Sequence, residues 1–303
     1  MSASRTETLT IAGPTRLHAR LWLPAAEGPR PAVVLCHGFA SCLREWGDYP
    51  ERLADAGYVV LAFDFSGSGE SEGPATYITS ASHLGDALRA LETVLARPEV
   101  DGRFALVGHS LGTAAVLRAL NSPQGKGAAT AVLFAPPNRI RQDVGLGEWM
   151  AYAAASRIAK VVLALNGKHL MVPYRVTPKD IFIDREAAAQ ALSDKILATS
   201  ISLNNYDYMI GEQDNSRAAA TVTQPVRIII ADGETVVGNA HSRQVYDALP
   251  GTAKSWVTIA DSGHSLLGDR SKQAAGDAGL AWLTAHLPVH ADEAVGAATG
   301  ESV

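Results

Sequence analysis

Cysteine is scarce: Cys36 and Cys42 are the only two among 303 residues. That excludes a disulfide-stapled scaffold, and because Cys36 closes an apolar run beside a glycine turn, both are expected as reduced thiols. Long apolar runs are missing as well. The most apolar stretch of the second half, residues 158–165, is too short to span a bilayer, and residues 1–10 are polar where a secretory signal would be apolar. No long Lys/Arg run occurs, and a net charge of −5 leaves no basic footprint for nucleic acid or an anionic membrane surface. The expectation is a cytoplasmic protein with a small-molecule ligand and no nucleic-acid or membrane partner.

What is present suits one α/β domain with an insertion, since 47% of the residues are hydrophobic and 19% charged. Residues 8–11 and 17–23 have the short alternating pattern of an opening hairpin. Apolar runs at 32–36, 59–63, 104–107, 131–134 and 226–230 are rich in Val, Ile, Leu or Phe and soon meet turn residues, as buried parallel strands do. Residues 257–259 read as a further strand. Helical patterns at 49–56, 81–95, 110–120, 241–249 and 272–287 alternate with these runs, which predicts a mostly parallel sheet with helices on both faces. The alternation breaks at 136–223, where helical stretches at 148–165 and 185–199 follow one another with no clear buried strand. This segment is expected to be a helical lid, inserted after the sixth strand between core portions 1–135 and 224–287. Residues 288–303, rich in Ala, Gly and acids, are expected to form a disordered tail.

The chemistry is concentrated in Val107-Gly108-His109-Ser110-Leu111-Gly112, where an apolar strand runs directly into a helix. That is the setting a G-x-S-x-G nucleophile elbow needs. Gly69-Glu70-Ser71-Glu72-Gly73 fits the same pattern but lies in a loop ahead of Pro74, and its two carboxylates disfavour an oxyanion at Ser71. Context therefore selects Ser110. An unactivated hydroxyl is a poor nucleophile at neutral pH and needs a base. Of nine histidines, His264 stands in Asp261-Ser262-Gly263-His264-Ser265, between the last predicted strand and the last helix, where it can reach the C-terminal edge of the sheet. His109 is expected to pack beside the elbow.

With His37-Gly38-Phe39-Ala40 and Phe63-Asp64-Phe65-Ser66-Gly67-Ser68-Gly69-Glu70-Ser71, these motifs stand in the order of the α/β-hydrolase superfamily, which the chain resembles over about residues 5–287. The second of these segments and the lid position are similar to the branch of cinnamoyl/feruloyl-type carboxylesterases, monoacylglycerol-lipase-like proteins and serine aminopeptidase-like hydrolases. The resemblance implies an α/β-hydrolase fold and a catalytic carboxylate between Ser and His in chain order. The loop Ala231-Asp232-Gly233-Glu234-Thr235-Val236-Val237 offers two. The family's spacing puts the acid at Glu234, with Asp232 as the alternative, although the family usually carries Asp at that place. Backbone N–H groups of Phe39 and Leu111 would form the oxyanion hole. Trp149, Tyr152, Tyr174, Tyr206, Tyr208 and Met209 in the lid could wall a substrate pocket.

The implied reaction is hydrolysis of a carboxylic ester with a small to medium apolar or aromatic acyl group, through an acyl-serine and without metal or organic cofactor. Thioesterases and acyltransferases use the same triad, and a peptidase-like amidase is a further alternative. A non-catalytic ligand-binding relative would show a broken triad. Haloalkane dehalogenase and epoxide hydrolase chemistry would need a carboxylate at the elbow, where this chain has Ser110.

Overall fold

The computed structural model describes residues 4–251 and 253–289. In chain order the first half holds β1 (Arg5–Ile11), β2 (Leu17–Leu23), β3 (Arg30–Cys36), α1 (Tyr49–Asp55), β4 (Val59–Phe63), α2 (Ser80–Leu95), β5 (Val100–His109), α3 (Gly112–Leu120) and β6 (Thr130–Phe134). Next come α4 (Leu146–Asn166), β7 (Met171–Pro173), α5 (Pro178–Ile181), α6 (Arg185–Ser193), β8 (Ser200–Ser202) and α7 (Asn215–Ala219). The chain then returns through β9 (Val226–Ala231), α8 (Asn239–Ala248), β10 (Lys254–Ile259) and α9 (Lys272–His286). Eight strands form one sheet in the order β1-β2-β4-β3-β5-β6-β9-β10, in which β2 alone runs against the rest. This is the α/β-hydrolase fold.

The apolar runs are continuous rather than alternating because both faces of the sheet are covered. In β3, Ala32, Val34 and Cys36 pack on one side with residues of α2, α3 and α8, while Val33 and Leu35 pack on the other with Leu53 of α1 and Leu283 of α9. Register then sets the function. The pairings Cys36↔Gly108, His109↔Phe134, Phe134↔Ile229 and Ile259↔Ala231 end neighbouring parallel strands at nearly one level. Every loop that follows a strand on this side therefore opens onto the same edge.

The segment between β6 and β9 departs from the sequence reading. The expected second helix, 185–199, ends at Ser193, where Lys195 takes a left-handed conformation with φ 51°. Ile196 N–H donates to Ala191 O and Lys195 N–H to Leu192 O, closing the helix in a Schellman motif. The freed chain forms a short antiparallel pair, β7 with β8, and a π-helical turn at Asp207–Glu212. Both are stabilised by tertiary contacts that leave no periodic trace. At the other end, the tail expected from 288 begins with two docked residues: Pro288 O accepts from Arg103 Nη1 at 2.8 Å, and Val289 packs against the lower core. The rest of that expectation, from 290, lies outside the described residues.

Deep in the core, Trp282 Nε1 donates to Thr130 Oγ1 at 2.7 Å, and the hydroxyl donates in turn to Pro225 O at 2.8 Å. Thr130→Val keeps the shape and leaves a buried indole N–H without a partner, so it is expected to cost about 2 kcal/mol. Urea denaturation checks this, and an unchanged midpoint would mean that the bond contributes nothing.

Candidate active site

Ser110 follows β5 directly and has φ 49°, a conformation that non-glycine residues adopt at a cost of about 1–2 kcal/mol. Its N–H donates to Phe134 O at 2.8 Å, and Thr113 binds its carbonyl through both N–H and Oγ1, so the turn is pinned from two sides. The flanking glycines are dictated by crowding. A Cβ at Gly112 would run into the carbonyl of Cys36, and one at Gly108 into the backbone of Thr113.

His264 and Ser110 line one cavity of about 50 Å³, together with Phe39 and Tyr174. On its far side, His264 Nδ1 donates to Glu234 Oε2 at 2.6 Å. The second carboxylate oxygen of Glu234 accepts from the N–H groups of Val236 and Val237 at 2.7 and 3.0 Å. Burial would push this carboxyl up, but the hydrogen bond and charge of His264, with the two amides, hold it down at about 2. Asp232 is exposed, and among the described residues its carboxylate accepts only the distant Ser262 N–H at 3.4 Å. The geometry thus joins Glu234, not Asp232, to His264.

Behind this row lies a buried ion pair that no motif announced. His109 Nδ1 donates to Glu45 Oε1 at 3.0 Å, and its Nε2 donates to the carbonyl of His264 at 2.9 Å. Both ring nitrogens thus face acceptors, which favours the imidazolium. Burial pulls the His109 pKa down, but the Glu45 carboxylate outweighs it and the value stands above the ordinary 6.5. Burial likewise pushes Glu45 up, and His109 draws it below the ordinary 4.5. Glu45 also accepts the Gly38 N–H at 2.8 Å, so one carboxylate ties the loop after β3 to the elbow and, through His109, to the His264 loop. The only sequence signal for Glu45 is its place between two core residues, Leu43 and Trp46.

Phe39 lines the small cavity, and its side chain packs with Leu111, Ile78, Ala114 and Tyr208. His37 accepts the Phe65 N–H at Nε2 and donates from Nδ1 to Gly38 O at 2.7 Å, which fixes its tautomer and the turn that carries Phe39. Ser71 has a different setting: its hydroxyl donates to Asp64 O at 2.6 Å and accepts the His18 N–H at 2.9 Å. It fastens the 64–71 loop in place, and Asp64 in turn accepts Leu43 N–H at 2.6 Å.

Of the six lid residues singled out from the sequence, Tyr174 alone lines the small cavity. Trp149 lies beneath Arg141, whose guanidinium carbon is 5.0 Å from the ring centroid, and Tyr152 stacks on Tyr206 at 4.5 Å. Tyr208 is buried, with its hydroxyl near His83 and Arg118, and Met209 packs against the Leu111 cluster. Aromatic content located the segment and not the lining, because Trp149, Tyr152 and Tyr206 pack within the segment itself and Tyr208 fastens it to the core. Cys36 and Cys42 are free and buried, and burial raises the Cys42 thiol to about 11. Among the described residues no cluster of His, Cys, Asp and Glu could hold a metal ion, and no helix is long and apolar enough to cross a membrane.

Residues 27–271 match the serine aminopeptidase S33 family. The chain belongs to this family of α/β-hydrolases. A monoacylglycerol lipase of Mycolicibacterium smegmatis is 22% identical over 288 residues, covering 95% of this chain and all of that one. A putative carbamate hydrolase, RutD, of Klebsiella pneumoniae is 27% identical over 271 residues, or 81% of this chain and 93% of that one. Among solved structures, a soluble variant of monoglyceride lipase from Saccharomyces cerevisiae superposes with a TM-score of 0.78 at 15% identity, over 95% of this chain and 97% of that one. As a member of the S33 family, the chain is a hydrolase.

Glu45→Ala strands a buried imidazole and is expected to cost this S33 hydrolase about 3 kcal/mol. The pH dependence has a definite sign. The contribution of Glu45 is complete above its ordinary 4.5 and is lost as pH falls through its lowered value. That of His109 is complete below its ordinary 6.5 and is lost as pH rises through its raised value. Urea denaturation of wild type and Glu45→Gln should therefore show the widest stability gap between pH 4.5 and 6.5. A gap that stays flat from acid to alkaline pH would rule out the ion pair.

Proposed function

We propose that this protein is a serine esterase that cleaves carboxylic esters of small to medium acyl groups through an acyl-enzyme. One observation carries the reading: Ser110, held at a positive φ, shares a cavity with a His264 whose other ring nitrogen is bonded at 2.6 Å to a buried carboxylate. Strain of this kind persists where function requires it.

In the proposed cycle, His264 Nε2 takes the Ser110 proton as Oγ attacks the ester carbonyl. The oxyanion that forms accepts hydrogen bonds from the amides of Phe39 and Leu111, worth about 3 kcal/mol each in comparable sites. Collapse breaks the C–O bond, and His264 returns the proton to the leaving alcohol. Water repeats the sequence on the acyl-serine and releases the acid. Glu234 holds the Nδ1–H tautomer and stabilises the imidazolium. With its pKa at about 2, it stays ionised throughout the neutral range and does not shape the pH–rate profile there. Segment 136–223 acts as a lid over core portions 1–135 and 224–287, and its Tyr174, Val176, Ile181, Ile196 and Leu197 wall the cavity on one side. These apolar walls favour an ester with an uncharged reacting end. The mechanism needs no metal or organic cofactor.

Ser110→Ala and His264→Ala should each lower kcat for a short p-nitrophenyl ester by at least about 10³-fold with the fold intact by circular dichroism. Ser71→Ala should retain turnover. Glu234→Ala should lose at least about 100-fold, and Asp232→Ala less than about threefold. A fluorophosphonate should label Ser110, as located by peptide mass spectrometry. A folded, active Ser110→Ala protein would sink the proposal, and the reverse order of the two acids would move the third role to Asp232.

A further inference from the structure

A cavity of about 840 Å³ adjoins the one at Ser110 and shares Ser41, Tyr174, Val176, Ile196 and Leu197 with it. Two features set it apart from a plain hydrocarbon pocket. Among the described residues the only charged side chains in its lining are cations, Arg44 and Lys195. Glu70 approaches Arg44 at 3.9 Å, the long limit of an ion pair, and does not line the cavity, while Lys195 has no ion-pair partner among the described residues. The two residues are neighbours, since Arg44 Nη2 reaches the backbone carbonyl of Lys195 at 3.5 Å.

Backbone strain is concentrated at the same place. Among the described residues six non-glycine positions have positive φ, and three of them, Ala40 (55°), Thr76 (53°) and Lys195 (51°), line this cavity. Lys195 occupies the position after α6 at which helices terminate most cheaply with glycine. Folding alone gives no reason to prefer a lysine there, and outliers of this kind mark functional positions. The loop is also fastened to the site, since Ala198 N–H donates to Ala40 O at 2.7 Å, one residue after Phe39.

We propose that the larger cavity receives an anionic end of the substrate, so that the preferred ester carries a carboxylate several carbons from the scissile bond, paired with Lys195 and Arg44. This deepens the esterase reading and rests on it. The carboxylate could belong to the acyl group or to the alcohol, and the test separates the two.

The acyl arm compares p-nitrophenyl hydrogen adipate with its neutral methyl ester, and the alcohol arm compares 6-(butanoyloxy)hexanoate with its methyl ester. One arm should favour the anion by about fivefold or more in kcat/KM, the scale of a single exposed charge pair, and the preference should shrink as salt is raised. Lys195→Gly relieves the left-handed strain and should fold with a higher Tm, yet it should lower the anion preference at least threefold. Arg44→Ala should act in the same direction, and Lys195→Arg should restore the preference. As a readout independent of turnover, suberate should raise the Tm of wild type more than that of Lys195→Gly, with dimethyl suberate as the neutral control. A ratio below fivefold in both arms, a ratio unmoved by either cation variant, or no difference between the two suberate shifts would overturn the inference. Loss of all ester turnover and of Ser110 labelling would instead sink the esterase reading, and the suberate comparison would still decide the anion site.

Discussion

The structure depends on where its parallel strands stop. Because β3, β5, β6, β9 and β10 end at matched register, a loop of a few residues after each one suffices to bring Gly38, Ser110, Glu234 and His264 to a common edge. Side-chain period in a strand is two, so a slip of one residue would turn a strand's inner face outward. Burial on both faces makes such a slip prohibitive, and the placement of the site follows from the packing of the core. The glycines at 108 and 112 belong to the same constraint, since the helix after β5 must start against the backbone of β3.

Shared register brings the loops together without fixing their distances. That finer task falls to the Glu45–His109 pair, whose hydrogen bonds reach the amide of Gly38 on one side and the carbonyl of His264 on the other. A buried ion pair is seldom a net source of stability compared with apolar packing. Here it ties the loops that carry Gly38, Ser110 and His264 together by directional bonds, something an apolar filler would not supply. The 64–71 loop adds a brace at the rim, with Asp64 and Ser71 bonded to backbone on β2 and on the turn ahead of α1.

The fold was legible because its determinants are local and repeated: short apolar runs, helical periods between them, and glycine turns at their ends. Ser110 and the His264–Glu234 pair could be read because each lies in a loop whose length and neighbours are set by the strand before it. Glu45 could not be read, since its partner is 64 positions away and its neighbours look like any core turn. The inserted segment was legible only as helix. Its long α4 buries little beyond Ser156 and Ala159 and leaves Met150, Ile158 and Val161 in solvent, so its apolar pattern says that it is helical and not which face is docked. The end of α6 was hidden for a related reason, because a lysine closes it where glycine would have been the signal.

The positive φ of Ser110 has a consequence for how such a chain can change over time. Glycine is the residue that this backbone position prefers, and it is one codon step from some serine codons, so Ser110→Gly should yield a protein more stable by about 1 kcal/mol and chemically silent. A Tm raised by a few degrees would register it, and an unchanged or lowered Tm would show that Phe134 and Thr113 have already relieved the turn. Selection for stability alone would therefore favour glycine at position 110, and a serine held there at positive φ is what the proposed nucleophile requires.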